Sequence, residues 1–310
     1  MDEILFTTKK LKVFDTGANI TGLVRIFNKI YTFHEDDIFM LEFGLKATES
    51  GDINGRTSET VILKRGTSNL FISKMCSFLE QIQLKRDHYE QNNNKKERLH
   101  FENLCKLLFD LLLNTSSILD SYETLYDDYQ TQLTKIPNVI MNDEHIKTSI
   151  YILNLDKRVK DLIINDCGGF LNKFMQIICL VYESELSNNK IPKIMKHDKR
   201  IDNALDVLVK SKCIKSESRL AKVMKNMHDT FFSKFVVVRN ACEHPDSIKN
   251  VQMNNFFINA YDEYQFPIIF ITTPHYNEQY ELIPYLKYTC ENLLNNIIQL
   301  LEIIISDYIV

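Results

Sequence analysis

Two long runs of apolar residues at helical spacing constrain the fold of this chain more than any other feature. One run covers residues 96–133 and the other covers residues 285–308, and in both the apolar side chains recur at intervals of three and four. That spacing places side chains on one face of an α-helix. The 310 residues include only 8 glycines and 6 prolines, so few positions can interrupt such helices. The pattern predicts a mainly α protein.

Further helices are expected before and between these two runs. Apolar periodicity places them at about residues 69–89, 143–165, 170–186 and 201–210. Cys167-Gly168-Gly169 is expected to break the chain between two of them. One more helix is expected to start at Ser216 or Ser218, both good N-caps, and to run toward Glu243.

One β-hairpin is expected before the last helix. Val251–Tyr261 and Phe266–Thr272 alternate between apolar and polar residues, and a turn near Asp262 would join them. The second half of the chain, residues 136–310, is therefore predicted to be a helical domain with one hairpin. A domain boundary is placed near Pro137, where the long helix should end.

Residues 1–67 leave the choice between an α and an α+β structure open. Leu11–Phe14 and Thr60–Lys64 favour short strands, whereas residues 20–33 and 36–46 suit helices or strands equally well. The whole N-terminal region, residues 1–135, is expected to regulate the second domain or to extend a dimer.

Composition narrows the possible environments of the protein. The seven cysteines include no C-x-x-C pair, which predicts free thiols and no zinc site. The N-terminus lacks the pattern of a signal peptide, and the apolar stretch Leu293–Val310 contains too many polar residues for a membrane span. We expect a cytoplasmic protein with neither a membrane partner nor a cofactor.

Charge is distributed unevenly although the net charge is only −4. Residues 190–225 contain eleven Lys and Arg against four Asp and Glu. Such a block can follow a nucleic-acid backbone, and it can equally be a solvated lysine-rich surface. The RNA-binding candidates in the block are Lys196, Lys199, Arg200, Lys222 and Lys225.

Six consecutive residues, Arg239-Asn240-Ala241-Cys242-Glu243-His244, place a cation, an amide and an imidazole together at a predicted helix end, directly before Pro245. Arg239 and His244 are five positions apart, about 140° around a helix, so they would not meet if the helix ran straight on. Pro245 disfavours helical geometry at His244 and should free that ring. A two-fold dimer would be another way to bring an arginine and a histidine together.

These side chains suit RNA cleavage without a metal, in which the 2′-hydroxyl attacks the neighbouring phosphate. His244 has the pKa range that proton transfer near neutral pH requires. Arg239 offers planar donors to the charged phosphate, and Asn240 can orient an oxygen without adding charge. The alternative is an ordinary helix end, at which His244 caps carbonyl groups and Arg239 pairs with Glu243.

The pattern Arg-polar-x-x-x-His at Arg239, Asn240 and His244 resembles the signature of the HEPN superfamily of helical domains. The resemblance implies a bundle of four or five helices, a homodimer that pairs two motifs in a cleft, and an endoribonuclease of a toxin or phage-defence type. RNA and an antitoxin or a sensor protein would be the partners. Asp246 occupies the position where some such toxins have a tyrosine that a partner modifies, which puts that control in doubt. The alternatives are a non-catalytic RNA-, nucleotide- or protein-binding module of the same fold and a purely structural helical protein.

Overall fold

A computed structural model describes most of the second half of the chain and parts of the first. The described residues are 20–26, 29–34, 38–42, 60–63, 78, 81–82, 84–86, 88–136, 150–184, 186, 200–246, 248–258, 264–274 and 277–309. The predicted strand Leu11–Phe14 and the predicted turn at Asp262 lie outside them, as do the RNA-binding candidates Lys196 and Lys199.

Four antiparallel strands form a meander in the N-terminal region. They are β1 (Ile20–Ile26), β2 (Lys29–His34), β3 (Ile38–Glu42) and β4 (Thr60–Leu63), in the sheet order β1-β2-β3-β4. The register pairs Val24 with Tyr31 and Met40 with Ile62. The strand predicted at residues 60–64 is confirmed, and the described parts of 20–33 and 36–46 are strands rather than helices.

Helices dominate the rest of the described chain. They are α1 (Lys95–Leu133), α2 (Leu155–Asp161), α3 (Gly168–Val181), α4 (Arg200–Lys210), α5 (Arg219–Met227), α6 (Ser233–Glu243) and α7 (Leu282–Ile309). A π-helical turn, Leu162–Cys167, joins α2 to α3, and a second, His228–Phe232, joins α5 to α6. The long helices predicted at 96–133 and 285–308 and the short helix at 201–210 are confirmed to within a few residues.

The two long helices and α3 bury their apolar faces in one continuous core. Leu108 of α1, Phe174 of α3 and Leu293 of α7 are completely buried in it. Helix α1 belongs to the predicted N-terminal region, yet it packs against α3 and α7 of the predicted second domain. The division near residue 136 stays a prediction, and experiments on function require the full chain.

Two predictions about the segment before α3 are wrong. Residues 143–149 of the helix expected at 143–165 lie outside the described residues, and residues 150–154 are not helical. Helix α2 begins at Leu155, because Asn154 adopts a left-handed conformation (φ 53°) and the backbone of Ile152 is hydrogen-bonded at both N–H and carbonyl to the Asn255 side chain. The expected break at Gly168-Gly169 is absent, since the chain passes through a π-helical turn into α3 without leaving helical geometry.

The helix that ends in the motif starts where the sequence predicts. The Ser218 hydroxyl accepts a hydrogen bond from the backbone N–H of Ala221 (3.2 Å), so Ser218 is the N-cap. From there α5, the π-helical turn and α6 follow without a break to Glu243. The motif thus lies at the C-terminal end of a long helical segment.

A small antiparallel sheet follows the motif helix. Strands β5 (Asn250–Asn254) and β8 (Ile268–Thr272) form the predicted hairpin, which continues through the short pair β6 (Phe257–Ile258) and β7 (Tyr264–Gln265). A third strand, β9 (Asn277–Glu281), pairs with β8 and was not predicted. Its residues are mostly exposed, so it lacks the apolar alternation that reveals a strand.

Two absences hold for the described part of the chain. No helix there combines the length and the apolar character that crossing a bilayer requires. Among the described residues, no three His, Cys, Asp or Glu side chains lie close enough together to hold a metal ion. Cys105, Cys167, Cys179, Cys213, Cys242 and Cys290 are free thiols.

Candidate functional site

The three candidate catalytic residues lie together at the end of α6 but differ in exposure. Arg239 is buried, with 8% of its surface accessible, whereas 79% of the His244 side chain is exposed. Asn240 lies between these extremes. In a single chain the imidazole and part of the amide therefore face solvent, and the guanidinium faces the protein interior.

The Arg239 side chain contacts two other residues of the motif. Its Nη1 contacts Oε2 of Glu243, one helical turn later, and donates to Oδ1 of Asn240 at 3.1 Å. The Nε of Arg239 is buried and has no hydrogen-bond partner among the described residues. The predicted pairing of Arg239 with Glu243 is confirmed.

Local packing explains why an arginine is buried here. Arg239 follows the buried Phe235 by four positions, so it continues the apolar face of α6. That face packs against the π-helical turn Leu162–Cys167. A Cβ on Gly168 would lie 3.4 Å from the Arg239 Nε, so a methyl group there would be in van der Waals contact with the guanidinium.

The helix ends before His244, as Pro245 predicts. His244 has φ −131° and ψ 67°, outside helical geometry, and its backbone N–H donates to the Asn240 carbonyl at 2.8 Å. The Nε2 of its ring lies 3.5 Å from Oε2 of Glu243. One carboxylate oxygen therefore connects the guanidinium of Arg239 to the imidazole of His244.

A tight turn after His244 directs the chain into β5. Both the Ile248 and the Lys249 backbone N–H groups donate to Oδ1 of Asp246 at 2.7 Å, and these bonds lower the pKa of Asp246. The presence of an aspartate at position 246 is thus explained by the turn that its side chain stabilises.

Cys242 lies within the motif but is not a nucleophile in this structure. The thiol is buried, and burial raises its pKa to about 12. Since the thiolate is the reactive form, a thiol with so high a pKa is inert near neutral pH.

Of the predicted RNA-binding residues, two can be located in detail. Lys222 and Lys225 are exposed on α5, three positions apart and hence on one face of the helix. Lys225 precedes Arg239 by 14 positions, about 20 Å along a helix. Arg200 is the first residue of α4, and nothing is described of its side chain.

The sequence analysis missed a pocket on another face of the motif helix. It has a volume of about 390 Å³ and includes Phe231, Phe235 and Val238 from the helical segment and Tyr280, Tyr285 and Tyr288 from β9 and α7. The sequence signal for this pocket was the occurrence of three tyrosines within nine residues, next to Glu278 and Glu281. They could not be assigned to a site without the third strand that positions them.

Comparison of this chain with known protein families, curated proteins and solved structures finds no match. The assignment of a function therefore rests on the residues themselves.

Proposed function

We propose that this protein is a metal-independent endoribonuclease of the HEPN type, acting in a toxin or phage-defence role. The observation that supports the proposal best is the connected arrangement of Arg239, Glu243 and His244 at an exposed helix end. The His244 side chain is exposed among the described residues, and α6 ends at Glu243, directly before it.

The proposed reaction divides the chemistry among three side chains. The 2′-oxygen attacks the phosphorus, the bond to the 5′-oxygen breaks, and the products are a 2′,3′-cyclic phosphate and a 5′-hydroxyl. His244 transfers the protons, one away from the 2′-hydroxyl and one toward the departing oxygen. Arg239 stabilises the charge on the phosphorane, and Asn240 orients a phosphate oxygen.

The burial of Arg239 sets a condition on this mechanism. Its Nη1 is engaged by Glu243 and Asn240, so a phosphate has to replace the Glu243 carboxylate before it binds Nη1. A homodimer in which two motifs face each other would supply a second imidazole and a second guanidinium to that position. An antitoxin or a sensor protein, or the region 1–135, would then control access to the cleft.

The decisive experiment is cleavage of total RNA by the full chain in the presence of EDTA. Wild type is compared with His244→Ala and with His88→Ala, a matched control at an exposed histidine on a different helical segment. We expect wild type and His88→Ala to release 2′,3′-cyclic phosphate ends and His244→Ala to release none. Equal cleavage by His244→Ala would remove the proposal, and no cleavage by wild type would mean either that access to the cleft is closed in the full chain or that the chain is the non-catalytic module.

A second candidate function is a non-catalytic RNA-binding module of the same fold. The specific observation in its favour is the Arg239–Glu243 pair, in which the arginine is buried and already neutralised. In that case Lys222 and Lys225 would dominate binding, and His244→Ala would bind RNA as wild type does.

A further inference from the structure

Five aromatic side chains contribute to the lining of the pocket beside the motif helix. Phe231 stacks on Phe235 with centroids 5.7 Å apart and meets Tyr288 edge-on at 6.4 Å. Tyr280 stacks on Tyr285 at 5.2 Å. The volume of about 390 Å³ falls within the range of small-molecule sites.

The charged groups at the pocket leave it with a net negative charge. Glu278, Glu281 and Lys234 all line it. The Lys234 Nζ lies 3.7 Å from Oε1 of Glu278, so these two charges largely neutralise each other. Within the described part of the chain the Glu281 carboxylate forms no ion pair, so the pocket lining has two carboxylates against one ammonium group.

Three hydroxyl groups of the pocket donate their hydrogens to other groups of the protein. Thr230 donates to the Asn226 carbonyl at 2.8 Å, and Thr289 donates to the Tyr285 carbonyl at 2.9 Å. The Tyr280 hydroxyl donates to Oε2 of Glu278 at 2.5 Å. These oxygens therefore present lone pairs, which attract a cation and disfavour an anion such as a phosphate.

We propose that this pocket binds a small organic cation, such as a quaternary ammonium compound. Phe231, Tyr285 and Tyr288 line the pocket with aromatic rings, whose π-density attracts cations, and Glu281 adds a full negative charge to the lining. A nucleotide is a poorer occupant, because its phosphates would meet Glu278 and Glu281. The inference does not depend on the proposed ribonuclease activity.

Ligand-observed NMR with choline as the probe tests this proposal on the full chain. The matched compound is 3,3-dimethylbutan-1-ol, which has the same shape and no charge. Cation–π attraction at a partly solvated site corresponds to roughly a tenfold difference in affinity, so choline should bind about ten times more tightly. Equal binding of the two compounds, or no binding of choline at millimolar concentration, would overturn the proposal.

Variants identify the pocket as the binding site. Tyr288→Leu keeps an apolar side chain and removes the π-face, and Glu281→Gln removes only the charge; both residues are exposed, so both variants should fold. We expect each to weaken choline binding several-fold and to leave 3,3-dimethylbutan-1-ol unaffected. Tyr151→Leu is the control, since Tyr151 is similarly exposed (49% against 54% for Tyr288) and does not line the pocket. A loss of binding in that control, or none in the two pocket variants, would place choline elsewhere and refute the assignment.

Discussion

Glu243 binds the buried guanidinium of Arg239 from one helical turn away, and the same carboxylate oxygen lies 3.5 Å from the ring of His244. The carboxylate thus occupies the position in which a phosphate would have to bind both residues. It is an intramolecular anion that competes with the proposed substrate. The arrangement makes Glu243 the residue whose removal tests structure and function together.

Glu243→Gln should weaken folding and strengthen phosphate binding. The amide keeps a hydrogen-bond acceptor but leaves the buried Arg239 charge uncompensated, so we expect a loss of about 1–3 kcal/mol in the free energy of unfolding. Urea denaturation measures that loss, and titration with inorganic phosphate measures the gain in binding. Glu90→Gln is the control, because Glu90 pairs with Arg86 at the surface (3.7 Å) and should change stability by less than about 0.5 kcal/mol. Equal stability of the two variants would contradict the importance of the buried pair.

His244→Ala and Arg239→Ala should differ sharply in stability. His244 is 79% exposed and helps little to hold the fold, so its removal should change the free energy of unfolding by less than about 0.5 kcal/mol. Removal of Arg239 breaks a largely buried ion pair and leaves a cavity, for which about 3 kcal/mol or more is expected. Thermal denaturation of both variants decides this, and similar melting temperatures would show that Arg239 is not buried in solution. His244→Ala is for this reason the cleaner variant for cleavage assays.

The helices were predictable because their signals are local. The Ser218 hydroxyl caps its helix by accepting from the N–H of Ala221, only three positions later. The apolar stripes of α1 and α7 repeat over many turns. The hairpin of β5 and β8 was equally predictable, since apolar and polar residues alternate along both strands. The motif residues could be found for the same reason, as they are consecutive in sequence.

The parts that were not predicted depend on tertiary contacts. Gly168 looked like a helix breaker, but it is a helical glycine next to the buried Arg239. The burial of Arg239 itself was missed, although its spacing from Phe235 indicates the same helix face. Strand β9 has no apolar alternation, so only its pairing with β8 identifies it as a strand.

Substitutions at two adjacent glycines should report on the position of Arg239. Gly169→Ala adds a methyl group with no atom within 4 Å, so the gain in helix propensity should stabilise the protein by about 0.5–1 kcal/mol. At Gly168 the methyl group would contact Arg239 Nε at 3.4 Å and the Ile163 carbonyl at 3.6 Å, so Gly168→Ala should gain less. Gly168→Val, with two further carbon atoms in that space, should be destabilising. Urea denaturation of the three variants provides the comparison, and a stabilising valine would place the guanidinium elsewhere.

The stability of the protein should fall with pH above about 9. Burial raises the pKa of Cys242 to about 12 and that of Cys179 to about 11, so the folded state keeps protons that the unfolded state loses. Each such thiol lowers the free energy of unfolding by up to about 1.4 kcal/mol per pH unit in this window, and contributes no change below the ordinary pKa. Denaturation at pH 8, 9 and 10 measures the slope, which Cys242→Ala should reduce. In Cys213→Ala, which removes an only partly buried thiol, the slope should stay close to that of wild type; equal slopes in all three proteins would contradict the burial of Cys242.

RNA binding should depend on salt through Lys222 and Lys225. Both lysines are exposed on one face of α5, so each can neutralise one phosphate of a bound strand. For single-stranded RNA each such contact contributes about 0.7 to the slope of log K against log salt, and the double variant Lys222→Gln/Lys225→Gln should lose about 1.4. Fluorescence anisotropy with a labelled single-stranded RNA at several salt concentrations measures both slopes.

Lys210→Gln is the matched control for this measurement. Lys210 is also exposed, but its Nζ is paired with Asp206 at 2.7 Å, so it should contribute little to the slope. A slope that decreases equally in the control would mean that net charge, rather than the α5 face, attracts RNA. If the double variant keeps the wild-type slope, RNA does not follow α5, and the second candidate function loses its binding surface. Cleavage that persists in that variant would instead assign RNA recognition to the region around His244, since the proposed reaction needs only the motif itself.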